Sequence, residues 1–114
     1  MEFSITEKNN SIYVKIHIKE SLNSKSFFPL IDSMSKQIKD TYLQNNLPVV
    51  FNLLDLNTID SYMISILVQT FRLTAPGKNA ILVSDTQVVD VLTLIGIDKM
   101  FDMFNSEEEW LDKD

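Results

Sequence analysis

Cysteine is absent from this 114-residue chain, so there is no disulfide framework, thiol nucleophile or thiolate metal site. The sequence has one histidine, His17, and a metal cage would therefore have to be built from carboxylates alone. The same scarcity leaves His-dependent acyl transfer a single candidate base. With Gly 2 and Pro 3, the glycine-rich phosphate loops of nucleotide-binding proteins are excluded. Positive charge is also short, at Lys+Arg 10 against Asp+Glu 16. The resulting net charge of −6 argues against nucleic acid or an anionic membrane surface as the main partner. No run approaches the ~20 apolar residues of a membrane span, which argues against direct membrane insertion. The opening Met1-Glu2-Phe3-Ser4 lacks the basic stretch and apolar run of a secretory signal, so a cytoplasmic location is expected.

The residues that are present fit one globular domain over 1–114, with 45% apolar and 23% charged residues. Phe3 and Ile5 alternate with polar residues, and a turn over Glu7-Lys8-Asn9-Asn10-Ser11 follows. Ile12, Val14, Ile16 and Ile18 then alternate with Tyr13, Lys15, His17 and Lys19, the period of a strand with one buried and one wet face. On this reading His17 is a solvated surface histidine. A helical stripe follows at Phe27, Leu30, Ile31, Met34, Ile38 and Tyr42, with Ser24 or Ser26 available as cap and Pro29 in the first turns. Val49 to Leu53 is almost continuously apolar, as in a strand covered on both faces.

A polar connection, Asp55-Leu56-Asn57-Thr58-Ile59-Asp60, leads to a second helix from Ser61 with an inward stripe at Ile64, Leu67, Val68 and Phe71. After Pro76-Gly77-Lys78-Asn79, a short strand Ala80 to Val83 precedes a third helix capped by Ser84 or Asp85. That helix has apolar positions Val88, Val91, Leu92 and Ile95, and Gly96 fits the left-handed residue that closes helices. Met100 to Phe104 reads as a last strand, and Ser106-Glu107-Glu108-Glu109 as the acidic capping box of a final helix carrying Trp110 and Leu111. Phe27, Phe28, Phe71, Phe101 and Phe104 read as core. A hairpin followed by alternating helices and strands implies a mostly parallel sheet with one antiparallel edge strand. Sites in such sheets collect in the loops after the strands, here Glu20–Ser24, Leu54–Asp60 and Ser84–Asp85.

The run Val49-Val50-Phe51-Asn52-Leu53-Leu54-Asp55-Leu56-Asn57-Thr58-Ile59-Asp60-Ser61 resembles the signature of the STAS family, which includes the bacterial anti-sigma factor antagonists. Leu22-Asn23-Ser24 resembles the loop that opens the family's first helix. Val91 to Phe101 resembles its run of leucine-rich helix, glycine, apolar residue, Asp-Lys and Phe, and Ser106 to Trp110 its acidic-capped last helix. The likeness implies an α/β, STAS-like fold: a mixed, mostly parallel sheet with an N-terminal antiparallel hairpin and about four helices. It also implies partner switching rather than catalysis, without cofactor or metal. An unphosphorylated antagonist binds an anti-sigma factor that is also a serine protein kinase, and phosphorylation of the serine after the Asp ends that binding. By position that serine is Ser61.

Asp60 is well placed as N-cap, accepting from the amides of Tyr62 or Met63, with the Ser61 hydroxyl outward at the positive end of the helix dipole. The family has a small residue and then glycine after the switching serine. Here Tyr62 and Met63 follow, and Asn23 stands where the family has Asp. Tyr62 and Met63, exposed at a helix start, make an adaptable contact patch. With Asn23, Ser24, Asn57 and Thr58 they form the expected partner surface. The same departures favour an alternative, a divergent STAS subunit that binds constitutively in a signalling assembly or beside a transporter. A receiver domain phosphorylated at Asp55 lacks the carboxylates for Mg²⁺ and the lysine after the last strand. A hydrolase built on Ser61 and Asp60 lacks a histidine within evident reach.

Overall fold

In the computed structural model, residues 2–17, 24–74 and 79–113 are described, with side chains in the first helix from residue 32 onward. The strands are β1 (Glu2–Lys8), β2 (Ser11–His17), β3 (Val49–Asn52), β4 (Ala80–Leu82) and β5 (Asp102–Phe104). The helices are α1 (Ser24–Asn45), α2 (Ser61–Leu73), α3 (Thr86–Leu94) and α4 (Glu107–Leu111), and a 3₁₀ turn spans Ile97–Lys99.

β1 and β2 form the expected antiparallel hairpin, closed at Lys8↔Ser11 by Asn9 and Asn10 with φ of 52° and 59°. Two consecutive left-handed residues match the twist of a two-residue hairpin, and asparagine tolerates that conformation. The remaining pairings are parallel, and the sheet order β1-β2-β3-β4-β5 follows the chain. Each crossover thus advances one strand in one direction, and crossovers of the usual right hand put α1, α2 and α3 on a single face, where all three pack into one core cluster.

The main core lies under those helices. Ile12, Val14 and Ile16 of β2, Phe51 and Ile81 meet Met34 and Ile38 of α1, Ile66 and Leu67 of α2, and Val88 and Leu92 of α3. Phe101 packs edge-on to Phe51, their ring centroids 6.1 Å apart, and Phe71 lies partly buried against the same cluster. Phe27 and Phe28 have side chains outside the described set. Ser24 and Ser26, read as possible caps of α1, both lie inside the helix.

Three expectations about faces fail. In α2 the expected stripe of Ile64, Leu67, Val68 and Phe71 holds only at Leu67: the buried row is Met63, Ile66, Leu67 and Thr70, and Ile64, Val68 and Phe71 are half-buried. In α3 only Val88 and Leu92 are buried, while Val91, Leu94 and Ile95 are exposed. In β2 the supposed wet face is covered at Tyr13, which is buried against Val50, Ala80, Leu82 and Trp110. That second cluster is the underside of the sheet, and α4 is the helix that covers it.

Gly96 takes φ +87° after α3, as expected of a helix-closing glycine. Asp85 caps α3 by accepting from the amides of Gln87 at 2.9 Å and Val88 at 3.1 Å. Ser106 caps α4 by accepting from the amide of Glu109 at 3.1 Å. At the N-terminal end of the two inner strands β3 and β4, buried Asn79 accepts from the Val49 amide at 2.9 Å and donates to the Thr74 hydroxyl, joining the start of β3 to the end of α2. Among the described residues, no helix is long and apolar enough to cross a membrane.

A polar chain ties α4 to the hairpin. Asn52 Nδ2 donates to the Tyr13 hydroxyl at 2.7 Å, and that hydroxyl donates to Glu107 Oε2 at 3.0 Å. The Lys8 ammonium pairs with Glu107 Oε1 and sits 5.2 Å from the Tyr13 ring centroid. Burial pushes the Tyr13 phenol up from 10.0 to about 12, against the lowering effect of the Asn52 hydrogen bond. The Lys8 hydrogen bond holds the Glu107 carboxyl below the ordinary value. The fold therefore keeps the Tyr13 proton that the unfolded chain releases near pH 10.0. This contribution to stability is complete below that pH and is lost as pH rises through about 12. The Glu107 contribution has the opposite sign: it is present above the ordinary carboxyl range and is lost as pH falls through the depressed value. Thermal unfolding measured from pH 9 to pH 12 should show a steeper alkaline decline in the wild type than in a Tyr13→Phe variant. Equal slopes would contradict the assignment.

Candidate functional site at the start of the second helix

The segment from Asn52 to Ser61 is shaped by its own side chains. Asn52 Oδ1 accepts from the Leu54 amide at 3.0 Å, bending the chain as it leaves β3. The Leu56 amide donates back to the Leu53 carbonyl at 3.0 Å, and the Leu56 side chain is buried. Ile59 is half-buried against the main core. These two apolar anchors leave Asn57, Thr58 and Asp60 exposed between and after them. Asp60 is extended (φ −109°, ψ 175°), and its Oδ1 accepts from the Tyr62 amide at 3.1 Å and the Met63 amide at 3.0 Å. The Asp60 carbonyl takes the first helical bond, from Ile64 at 3.1 Å. This is the N-cap the sequence predicts, with α2 beginning at Ser61.

Ser61 is exposed in the first helical position. Its neighbours divide in a way the sequence did not reveal. Met63, expected in an exposed contact patch, is 3% exposed and part of the main core. The cap fixes the phase: two bonds to Asp60 turn the third residue of the helix inward. Met63 is therefore removed from the partner surface. Tyr62 is half-buried, packed against the same core with part of its side chain open to solvent. Ser24 opens α1 with its side chain outside the described set, and Asn23 lies outside the described residues.

For one member of this region the sequence reading missed a partner. His17, expected as a solvated surface histidine, is half-buried at the surface and has its Nδ1 2.9 Å from Asp55 Oδ2 in an exposed contact. The pairing register explains the contact. Lys15 lies beside Asn52, the last residue of β3, so His17 projects past the strand end toward the loop. Parallel alignment of two strands with a known shared start would have placed it there. Asp55 is thus a partner for His17 at the C-terminal end of β2 and β3. Among the described residues, no group of three or more His, Cys, Asp or Glu side chains is positioned to hold a metal.

A phosphate on the Ser61 hydroxyl would meet the helix amides and dipole at its own end of α2. It would also place about −1.5 to −2 charge next to the Asp60 carboxylate. Asp60→Ala should lower the unfolding free energy by about 1 kcal/mol through loss of the cap. Ser61→Ala should change it by less than about 0.5 kcal/mol. Urea titration measures both, and an unchanged Asp60→Ala midpoint would show the cap to be unimportant.

No family model matches the chain, and a sequence search of curated proteins finds no match. The similarity is in structure. An anti-sigma factor antagonist from Mycobacterium paratuberculosis superposes with a TM-score of 0.75 at 13% identity, covering 98% of this chain and 92% of that one. An anti-sigma-factor antagonist (STAS) domain protein from Planctomyces limnophilus superposes with a TM-score of 0.66 at 16% identity, covering 96% and 94% respectively. The hairpin, the parallel strands and the four helices described above make up the shared architecture.

Proposed function

We propose that this chain, which has the STAS fold, is a partner-switching antagonist of an anti-sigma factor in the bacterial cytoplasm. On this reading it regulates transcription through protein–protein contact and is not an enzyme. It binds an anti-sigma factor that is also a serine protein kinase, and Ser61 is the residue modified. The observation that carries the reading is the exposed Ser61 hydroxyl in the first helical position behind the Asp60 cap. The kinase transfers the γ-phosphoryl group of ATP to Ser61 Oγ, releasing ADP and the hydroxyl proton. The product is a hydrated dianion in the middle of the docking face, and removing its water costs more than the contact returns.

Asn57, Thr58 and the open part of Tyr62 lie within four residues of Ser61 along the chain and supply that face, to which Ser24, at the start of α1, and its neighbour in sequence Asn23 are added. Apolar area is available on the same layer, in the exposed row Val91, Leu94 and Ile95 of α3. One observation favours the constitutive subunit instead. Tyr62 puts an aromatic side chain beside Ser61, where a kinase backbone needs room.

A pull-down identifies the bound kinase, and incubation with that kinase and ATP followed by intact mass then separates the two readings. The switch requires one phosphate on the wild type, none on Ser61→Ala, and loss of the complex on modification. An unmodified wild type that stays bound would establish the constitutive subunit.

A further inference from the structure

We infer that the cleft between α1 and α2 binds a small carboxylate with an apolar tail, at a place separate from Ser61. The cleft encloses about 320 Å³ and runs between Ser35, Ile38 and Lys39 of α1 and Gln69, Arg72 and Leu73 of α2. These are matched sets at steps of three and four residues, so each helix presents one row of side chains to the gap. Ser35 Oγ donates to Gln69 Oε1 at 3.4 Å across the gap, and Gln69 is steadied in turn by Ser65 at 3.1 Å. Ile38 is buried and Leu73 half-buried, which makes the floor apolar.

Charge identifies the occupant. In a chain of net charge −6, two cations, Lys39 and Arg72, line the same small cleft. Neither forms an ion pair with another described residue. Arg72 in the last turn of α2 also complements the negative end of that helix. Lys39, in the middle of α1, has no such role. An apolar floor with two cations that have no ion-pair partner among the described residues suits a single anionic head on a hydrocarbon body, whereas a cationic or neutral ligand forgoes the charge contact.

At about 30 Å³ per water the volume equals roughly ten waters, the size of a ligand with about ten non-hydrogen atoms. Octanoate has that size. Ligands so small bind with Kd on the order of 1 mM or somewhat tighter. Arg72 lies eleven residues along α2 from Ser61, about 16 Å at the helical rise. Occupancy therefore leaves the Ser61 surface open.

The test is a titration of the ¹⁵N-labelled full chain with octanoate at constant ionic strength, followed by amide shifts, with octylamine and acetate run in parallel. Saturable shifts confined to residues 35–39 and 69–73 are expected with octanoate, and none that saturate with octylamine or acetate. Lys39→Gln with Arg72→Gln should weaken octanoate at least tenfold while the remaining spectrum is unchanged. Non-saturable shifts, equal response to octylamine, or shifts centred on Val91, Leu94 and Ile95 would each overturn the inference. The result is independent of whether Ser61 is phosphorylated.

Discussion

Trp110→Ala should lower the unfolding free energy by about 3–5 kcal/mol, roughly a fifth or more of the stability of an ordinary domain of this size. Trp110 is 0% exposed and is the largest side chain in the cluster beneath the sheet. Its ring lies 5.6 Å from that of Tyr13 at an interplanar angle of 34°, and Lys113 covers it from outside at 5.5 Å. α4 has only five residues, far too few to hold a helix by itself. It is retained by the Trp110 side chain, the Ser106 cap and the Lys8–Glu107 pair. Truncating the indole removes the first of these and opens Tyr13, Val50 and Leu82 to water. In urea the midpoint should fall by about 2 M, followed by circular dichroism because the sole tryptophan is lost. Trp110→Phe should cost much less. The indole Nε1 is buried without an acceptor among the described residues, so the phenyl ring discards an unsatisfied donor along with some packing. A loss below about 1 kcal/mol for Trp110→Ala would mean that the underside does not depend on this ring.

The same region shows where sequence reading succeeds and where it stops. Element type and order were legible because the periods were clean: two along Ile12 to Ile16, and three to four along Met34, Ile38 and Tyr42. Caps were legible because Asp60, Asp85, Ser106 and Gly96 act on their own backbone within a few residues. Facing was not. α2 is apolar nearly all round, with Met63, Ile64, Ile66, Leu67, Val68 and Phe71 offering two stripes one residue apart. The pattern does not choose between them, because the choice depends on the direction from which the sheet approaches. α3 has the same ambiguity, and its position over the far side of the sheet leaves Val91 and Ile95 uncovered. Tyr13 read as a wet-face residue because its neighbours are polar. Its burial depends on a tryptophan 97 positions away that alternation within β2 does not register. The His17–Asp55 contact was missed for a related reason, since it follows from the β2–β3 register and not from any local motif.

Glutamate placed at position 61 or at position 63 should give opposite results, although the two lie in one helical turn. Local rules favour both substitutions. An acid in the first turn complements the dipole, and glutamate at the third helical position is the usual partner of a cap. Tertiary structure decides otherwise. Met63 is 3% exposed among Ile66, Leu67 and their core neighbours, so Met63→Glu buries a carboxylate without a partner. The expected cost exceeds about 4 kcal/mol, roughly a quarter or more of the stability of an ordinary domain. Ser61→Glu changes an exposed side chain and should leave the urea midpoint within about 0.5 kcal/mol of wild type. On the proposed function its effect appears in binding: a fixed charge in the docking face should weaken the kinase complex by about a hundredfold or more. Denaturation and titration calorimetry on the two variants make the comparison directly. A stable Met63→Glu protein would place that side chain at the surface and restore the wider contact patch. An unweakened complex with Ser61→Glu would move the docking face away from the start of α2, and with it the switch assigned to that hydroxyl.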